Sequence, residues 1–469
     1  MRVPLNHREP TGEWLDIAVI RLPAGGGEGR RIGSLVVNPG GPGASGVDYV
    51  RAARVVLSER VRERFDVVGF DPRGVGRSAP VECLSDGELD AYLALDGSPD
   101  SPAERAALEA GARTFAEGCR RHSGRLLPHV GTVDVARDLD LLRRALGERR
   151  LTYLGKSYGT SLGAVYADLF PGRVRAMVLD GALDPALPRL RLNAEQAAGF
   201  EGALRAYVRD CLTRKGCPFE SRTVRGALEE VGGLLRRTDG RPLRGDGGRK
   251  VTQATATLGL LAPLYDRALW PGLTESLRRA FQGDGRLLMH AADRLTGRRE
   301  DGTYSGQTEA NLAITCMDGA YPAGTAAYGR GVERALGQHA EGDRGRGVER
   351  DAGRGVEGAF GRVTEVGAYL GWSSLPCAHW PHPPTLEARP LTAEGAPPIL
   401  VLGTRRDPAT PYAWARALAG QLASGVLLGW EGDGHTAYRN GSECVDEAVD
   451  RYLVTGVAPD DGTICPGIR

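Results

Sequence analysis

Residues 151–163, L-T-Y-L-G-K-S-Y-G-T-S-L-G, constrain the fold more than any other segment of this chain. A short apolar run leads directly into a serine between two glycines and then into a helical pattern. This is the layout of a nucleophile elbow, G-x-S-x-G, in which a serine stands on a sharp turn at the carboxyl end of a strand. The backbone N–H that follows the serine then points at the oxygen of a bound carbonyl. The segment therefore predicts a strand–turn–helix unit that carries a candidate nucleophile.

The G-x-S-x-G pattern occurs twice here in overlapping register, around Ser157 and around Ser161. With 67 glycines in 469 residues, the pattern alone is weak evidence. Position separates the two serines, because Ser157 comes directly after the apolar run whereas Ser161 lies one helical turn further on. We therefore predict Ser157 as the nucleophile and interpret Ser161 as a small residue that lets the helix pack on the sheet.

Two further candidates follow apolar strand patterns near the C-terminus. Asp407 comes after P-I-L-V-L-G, and His435 comes after G-V-L-L-G-W. Taken singly, Asp407 reads as a turn residue before a proline and His435 as a surface-loop histidine. Together with Ser157 they give the chain order Ser, Asp, His that a catalytic triad requires on a doubly wound sheet. Asp433 lies two residues before the histidine, but the strand-end position favours Asp407 as its partner.

The loop at residues 38–46, N-P-G-G-P-G-A-S-G, follows another apolar run. Glycines let backbone N–H groups approach a substrate oxygen without obstruction by side chains. Proline and glycine also mark ordinary surface turns. Its place after a predicted strand and before the elbow favours an oxyanion loop.

These motifs together resemble the α/β-hydrolase serine peptidases related to proline iminopeptidase, and above all the secreted bacterial tripeptidyl aminopeptidases. The resemblance covers nearly the whole chain. It rests on V-P-L-N-H at 3–7, N-P-G-G-P-G-A-S-G at 38–46, F-D-V-V-G-F-D-P-R-G-V-G-R-S at 65–78, G-K-S-Y-G-T-S-L-G at 155–163, V-L-D-G-A-L-D-P at 178–185, N-L-A-I-T-C-M-D at 311–318, L-P-C-A-H-W-P at 375–381 and the loops of Asp407 and His435.

The resemblance implies an exopeptidase that removes short peptides from free N-termini. It assigns Ser157, Asp407 and His435 to the triad, and the backbone N–H groups of Gly41 and Tyr158 to the oxyanion hole. An esterase, amidase or acylase acting on a small molecule or specialised metabolite would use the same triad. A non-catalytic binding protein that kept the fold is a third reading, against which the intact triad argues.

An aminopeptidase must also hold the ammonium group of its substrate, for which a carboxylate is the natural partner. Glu309 and Asp318 flank the motif around Cys316 and are our candidates for substrate binding. The alternative is that each is an ordinary helix-surface acid or a structural hydrogen-bonding group.

Composition and sequence pattern limit the kinds of partner that we expect the chain to bind. A net charge of +1 with 25% charged residues does not indicate the basic surface that nucleic-acid-binding proteins carry. No apolar run reaches the length that spans a membrane. The sequence contains no C-x-x-C pair that would suggest a zinc site. We expect no metal and no cofactor. A peptide or small acyl substrate is the expected partner, and the oligomeric state stays open.

The eight cysteines allow 105 pairings. Sequence proximity groups them as Cys83 with Cys119, Cys211 with Cys217, Cys316 with Cys377, and Cys444 with Cys465. Disulfides imply an oxidising compartment, and the resemblance likewise favours secretion. Met1 leads into a strand-like V-P-L segment rather than a signal peptide, so a cytoplasmic enzyme with reduced cysteines is the alternative.

Strand patterns occur at residues 14–22, 32–37, 66–70, 151–154 and 174–180, and they resume at 398. We therefore expect an α/β-hydrolase fold, a mostly parallel doubly wound sheet, with a core at 1–185 and 395–469. Residues 186–394 are expected to form an inserted, mainly helical cap over the carboxyl edge of the sheet. Within them G-R-G-V-E recurs at 329–333, 345–349 and 353–357, which we interpret as a locally duplicated, solvent-facing segment of unknown role.

Overall fold

A computed structural model describes residues 1–345 and 364–467 of the chain. The first G-R-G-V-E copy lies in a helix within this part. The third copy, and all but the first residue of the second, lie outside the described residues. No helix of the described residues is long and apolar enough to cross a lipid bilayer.

The described residues form strands and helices that alternate in the first and last parts of the chain. The strands are β1 (Arg2–Pro4), β2 (Trp14–Asp16), β3 (Val19–Leu22), β4 (Gly33–Asn38), β5 (Phe65–Phe70), β6 (Leu151–Lys156), β7 (Val174–Asp180), β8 (Leu243–Arg244), β9 (Lys250–Val251), β10 (Ile399–Arg406), β11 (Gly425–Asp433) and β12 (Thr463–Cys465). The helices are α1 (Gly46–Arg51), α2 (Ala53–Val56), α3 (Glu59–Arg64), α4 (Asp86–Leu93), α5 (Pro102–Ser123), α6 (Thr132–Ala145), α7 (Tyr158–Leu169), α8 (Arg189–Leu212), α9 (Val224–Gly240), α10 (Gln253–Leu261), α11 (Trp270–Phe281), α12 (Arg286–Thr296), α13 (Gln307–Met317), α14 (Thr325–Gly345), α15 (Glu365–Trp372), α16 (Tyr412–Gln421) and α17 (Glu443–Thr455).

The main sheet of the described residues has eight strands in the order β12-β11-β10-β7-β6-β4-β5-β3. All neighbours in it pair in parallel except β3, which runs antiparallel to β5 at one edge. The central strands are apolar along their whole length because helices cover both faces of such a sheet. In β4 and β5, for example, every residue is buried. This architecture confirms the predicted α/β-hydrolase fold.

The prediction of one strand over residues 14–22 is wrong in detail. Trp14–Asp16 pairs with β1 in a separate two-stranded sheet, whereas Val19–Leu22 joins the edge of the main sheet. Two buried or half-buried residues, Ile17 and Ala18, lie between these strands. The chain therefore changes partner within a single β-favouring stretch, which periodicity alone does not reveal.

Helix α7 packs tightly on the sheet below the elbow because glycines leave room for it. A Cβ on Gly155 would lie 2.3 Å from the carbonyl oxygen of Gly159, and a Cβ on Gly163 would lie 2.5 Å from Leu179. The Tyr153 hydroxyl donates to the Gly159 carbonyl at 2.8 Å. The glycines of the G-x-S-x-G motif are thus required by the close approach of strand and helix.

Between β7 and β10 the described chain is mainly helical, with only the short β8–β9 hairpin. Helices α8 to α12 bury their apolar faces against one another in a hydrophobic cluster of their own. That cluster includes Ala409 from the loop after β10, so the helical region is seated directly on the carboxyl edge of the main sheet.

All four predicted disulfides are confirmed. The bonds join Cys83 to Cys119, Cys211 to Cys217, Cys316 to Cys377 and Cys444 to Cys465. No cysteine of the chain is free.

Candidate active site

Ser157 stands at the turn between β6 and α7 with φ 55° and ψ −124°. A non-glycine residue at positive φ is strained, and such strain persists only where neighbouring contacts hold it in place. Here the Ser157 N–H donates to the Asp180 carbonyl at 2.8 Å. The Ser157 carbonyl accepts from the Thr160 hydroxyl at 2.6 Å. Ser157 thus stands at the end of β6, before the first residue of α7, while Ser161 lies inside α7.

Asp407 directly follows β10, and its side chain is fully buried. One carboxylate oxygen accepts the backbone N–H groups of Ala409 and Thr410, both at 2.9 Å. The other accepts the Thr410 hydroxyl at 3.0 Å and the Thr436 N–H at 3.1 Å. A buried carboxylate needs such donors to offset its lost hydration. These donors also fix the orientation of the Asp407 carboxylate.

The Asp407 carboxylate faces His435, which follows β11. His435 Nδ1 lies 2.9 Å and 3.0 Å from the two Asp407 oxygens. The backbone N–H of His435 donates to the Tyr265 carbonyl at 2.7 Å, and the two rings meet edge to face at 5.4 Å. Asp433 instead forms an ion pair with Arg406 at 2.5 Å. The Asp407 carboxylate therefore orients the histidine ring through Nδ1 and leaves Nε2 free of this contact.

Two residues that sequence reasoning did not single out form an ion pair behind these groups, with Asp180 buried and Lys156 largely buried. Lys156 Nζ lies 3.7 Å from an Asp180 oxygen and donates to the Tyr438 carbonyl at 2.7 Å. Asp180 also accepts the N–H groups of Ala437 and Tyr438, at 2.8 and 3.0 Å. Burial raises the pKa of the Asp180 carboxyl and lowers the pKa of the Lys156 ammonium.

The pair lies between two strained positions of the site. Lys156 precedes Ser157 in the chain, and the Asp180 backbone holds the Ser157 N–H. Thr436, which follows His435, has φ 67° and is within 3.3 Å of Lys156 Nζ through its hydroxyl. The pair therefore connects the elbow to the histidine loop. A strand-end aspartate and a lysine inside G-x-S-x-G were both visible in the sequence, but nothing there showed that they meet.

The glycine loop at residues 38–46 lies against the elbow. A Cβ on Gly40 would lie 2.4 Å from the Lys156 carbonyl and 2.9 Å from Ser157 Cβ. Gly40 and Gly41 have φ values of 91° and 109°, which glycine adopts without strain. Tyr158 is the first residue of α7, so its N–H has no acceptor within the helix. The loop and the helix start thus bring Gly41 and Tyr158 to the same edge as Ser157.

The two acids predicted to bind substrate are bonded to the protein itself. Glu309 accepts the N–H groups of Cys83 and Leu84 at 2.7 and 2.9 Å. Asp318 accepts the Thr132 N–H at 2.7 Å and the Thr132 hydroxyl at 2.5 Å. Both carboxylates are buried, and burial raises the pKa of each. These contacts favour the structural alternative, and the role of both acids in substrate binding stays a prediction.

The described residues contain one group of acids close enough to share a cation. Carboxylate oxygens of Asp96, Glu104 and Asp239 lie within 4.8 Å of one another. Glu104, however, caps the start of α5 by accepting the Ser101 N–H at 2.9 Å. We assign this group no role in the chemistry.

Two family models match the sequence. The first, described as "alpha/beta hydrolase fold", matches residues 33–268, and the second, "TAP-like protein", matches residues 362–465. The chain is 37% identical to the serine protease Hip1 of Mycobacterium tuberculosis, over 99% of this chain and 86% of that protein. Carboxylesterase B of the same organism is 37% identical over 99% of this chain and 85% of that protein.

The tripeptidyl aminopeptidase of Streptomyces lividans is 33% identical over 97% of this chain and 80% of that protein. These matches span nearly the full length and agree with the sheet order, the elbow and the strand-end loops. The chain therefore belongs to the α/β-hydrolase family.

Proposed function

We propose that this chain is a serine exopeptidase that releases short peptides, tripeptidyl or aminoacyl units, from free N-termini. Ser157 is the nucleophile, His435 the general base and Asp407 the residue that orients it. The observation that carries the proposal is the buried Asp407 carboxylate, 2.9 Å from His435 Nδ1, on the same sheet edge as a strained elbow serine. The names of two full-length relatives, a serine protease and a tripeptidyl aminopeptidase, support the same chemistry.

The chemistry proceeds in two halves. His435 Nε2 takes the proton of the Ser157 hydroxyl as its oxygen attacks the scissile carbonyl carbon, and Asp407 stabilises the imidazolium. The oxyanion accepts hydrogen bonds from the N–H groups of Gly41 and Tyr158, each of which we expect to contribute about 3–4 kcal/mol. The C–N bond then breaks, and His435 returns the proton to the leaving amine. Water repeats the sequence on the acyl-enzyme and releases the peptide acid.

The substrate ammonium group needs a carboxylate or carbonyl partner, because an unpaired charge in a closed site is costly. Glu309 and Asp318 already accept hydrogen bonds from the protein, which favours a structural role for both acids. The free N-terminus remains part of the proposal on the strength of the aminopeptidase relative.

A second function, hydrolysis of carboxylic esters, has its own support. Carboxylesterase B has the same 37% identity to this chain as Hip1. The triad serves both reactions, so the difference lies in what the helical region admits to Ser157.

We also propose where the enzyme acts and how its chain divides into a core and a cap. Four disulfides favour an oxidising environment, so we propose that the enzyme acts outside the cytoplasm. We further propose that residues 186–394 act as a cap that limits which substrates reach the elbow.

One panel of substrates separates the two functions. Tripeptidyl- and aminoacyl-p-nitroanilides with free amines are compared with their N-acetylated forms and with p-nitrophenyl butyrate, using Ser157→Ala as the blank. The exopeptidase proposal predicts cleavage of the free peptidyl-anilides at least about tenfold faster than of the acetylated ones. Equal rates on free and acetylated peptides, or hydrolysis of the ester alone, would favour the esterase.

A further inference from the structure

Helix α13 makes several contacts with loops of the core at the carboxyl edge of the sheet. Glu309, in its first turn, holds the backbone of Cys83 and Leu84. Asp318, at its C-terminal end, holds Thr132. Because both anchors are buried carboxylates with backbone N–H donors, the helix is fixed at both ends.

The first link from this helix reaches the glycine loop beside Gly41. Asn311 Nδ2 donates to the Pro42 carbonyl at 3.0 Å. A Cβ on Gly43 would lie 2.6 Å from the Gln307 carbonyl and 3.1 Å from the Asn311 nitrogen, so helix and loop are in direct contact. On its other side the loop touches the elbow through Gly40. Gly41 therefore lies between two contacts, one to the nucleophile turn and one to α13.

The second link reaches Tyr158. Its hydroxyl lies 2.5 Å from the Thr132 hydroxyl, which in turn donates to an Asp318 oxygen at 2.5 Å. Since Thr132 gives its proton to the carboxylate, the Tyr158 O–H is the donor of the first bond. Asp318 also accepts the Thr132 N–H at the start of α6, whose own N-cap residue is Gly131 and supplies no side chain. The carboxylate thus ties α13, α6 and the start of α7 together.

We propose that α13 positions the oxyanion hole, with Asn311 aligning the loop of Gly41 and the Asp318–Thr132 pair aligning Tyr158. The inference rests on the proposed triad and oxyanion donors, and it assigns Asn311 and Asp318 as positioning residues rather than substrate ligands. A donor helps only if it points at the place where the oxyanion forms. One element that sets both donors would therefore act on the transition state and leave substrate binding unchanged.

The test uses p-nitrophenyl butyrate as substrate and phenylboronic acid as inhibitor, because boron forms a tetrahedral adduct on the serine. Asn311→Leu removes the bond to Pro42, and Tyr158→Phe removes the bond to Thr132. Thr308→Val is the matched control, since Thr308 lies on the same helix but donates to the Thr296 carbonyl. We expect Asn311→Leu to lower kcat at least about tenfold with KM within about twofold, and to weaken the boronic acid by a similar factor.

We expect Tyr158→Phe to act in the same direction, and Thr308→Val to leave both constants within about twofold. If Asn311→Leu and Tyr158→Phe matched Thr308→Val in kcat and in boronic acid affinity, the proposal would be overturned. If Asn311→Leu does not fold, Tyr158→Phe decides alone by the same criteria. The ester reports the oxyanion hole whether or not peptides are substrates, so failure of the exopeptidase proposal is scored separately. A Ser157→Ala variant that kept the esterase activity would instead remove the proposed triad.

Discussion

Replacing Asp407 by asparagine changes the charge of the buried acid with almost no change in shape. In the native enzyme each of its oxygens accepts two hydrogen bonds besides facing His435 Nδ1. If the new amide nitrogen took the Oδ1 position, it would meet the N–H groups of Ala409 and Thr410. In the Oδ2 position the amide nitrogen meets a single backbone N–H, that of Thr436. This orientation of the amide therefore has the lower free-energy cost.

In that orientation the amide NH₂ also faces His435 Nδ1 and donates to it. The proton of the ring then moves to Nε2, where it blocks proton transfer from Ser157. Loss of the correct tautomer in a serine triad lowers kcat about 10⁴-fold, which is about 5.5 kcal/mol of barrier. One backbone N–H left without an acceptor should also cost about 1–3 kcal/mol of folding stability.

Asp433→Asn is the matched control because it lies two residues from the same histidine but pairs with Arg406. We expect it to keep activity within about threefold, since its carboxylate pairs with Arg406 and Arg267 rather than with the histidine. Both variants are assayed for kcat and KM on the best substrate of the panel, with urea unfolding to measure stability. A loss of less than about tenfold in kcat for Asp407→Asn, or of more than about tenfold for Asp433→Asn, would refute this role of Asp407.

Three further predictions concern other parts of the site and fold. Ser157→Ala should lose at least about 10³-fold in kcat while folding normally, whereas Ser161→Ala should stay active; the reverse would place the nucleophile in α7. Asp180→Asn should lower the free energy of unfolding by about 3–5 kcal/mol because it leaves the largely buried Lys156 ammonium without its counter-charge. The double variant Asp180→Asn/Lys156→Met should recover part of that loss. Equal free energies of unfolding in urea for the native protein and Asp180→Asn would contradict a stabilising role of the pair. Alkylation of the native protein without reduction should modify none of the eight cysteines by mass spectrometry, and eight modified thiols would contradict the four disulfides.

Features set by local sequence were predictable. The elbow needs a strand, a serine and close-packed glycines within a dozen residues, and all of them can be read directly. The strand-end positions of Asp407 and His435 also follow from short apolar runs, as β10 and β11 show. Proximity in sequence was enough to pair the cysteines, because each bond links neighbouring cysteines along the chain.

Features set by distant partners were not predictable. Whether Glu309 and Asp318 face a substrate or the protein depends on which loops lie opposite them, and those loops are 225 and 186 residues away. The same limit hid the Lys156–Asp180 pair, since its link to the histidine loop spans 282 residues. The split of residues 14–22 into two strands likewise depends on which sheets receive them.

We propose Ser157 as the single activated nucleophile of this chain. Treatment with diisopropyl fluorophosphate, followed by digestion and mass spectrometry, tests it most directly, because only a serine activated by its histidine reacts. We predict one adduct per chain, on the peptide that contains Ser157, and none in His435→Ala. An adduct on Ser161, or an equal yield in His435→Ala, would contradict the account.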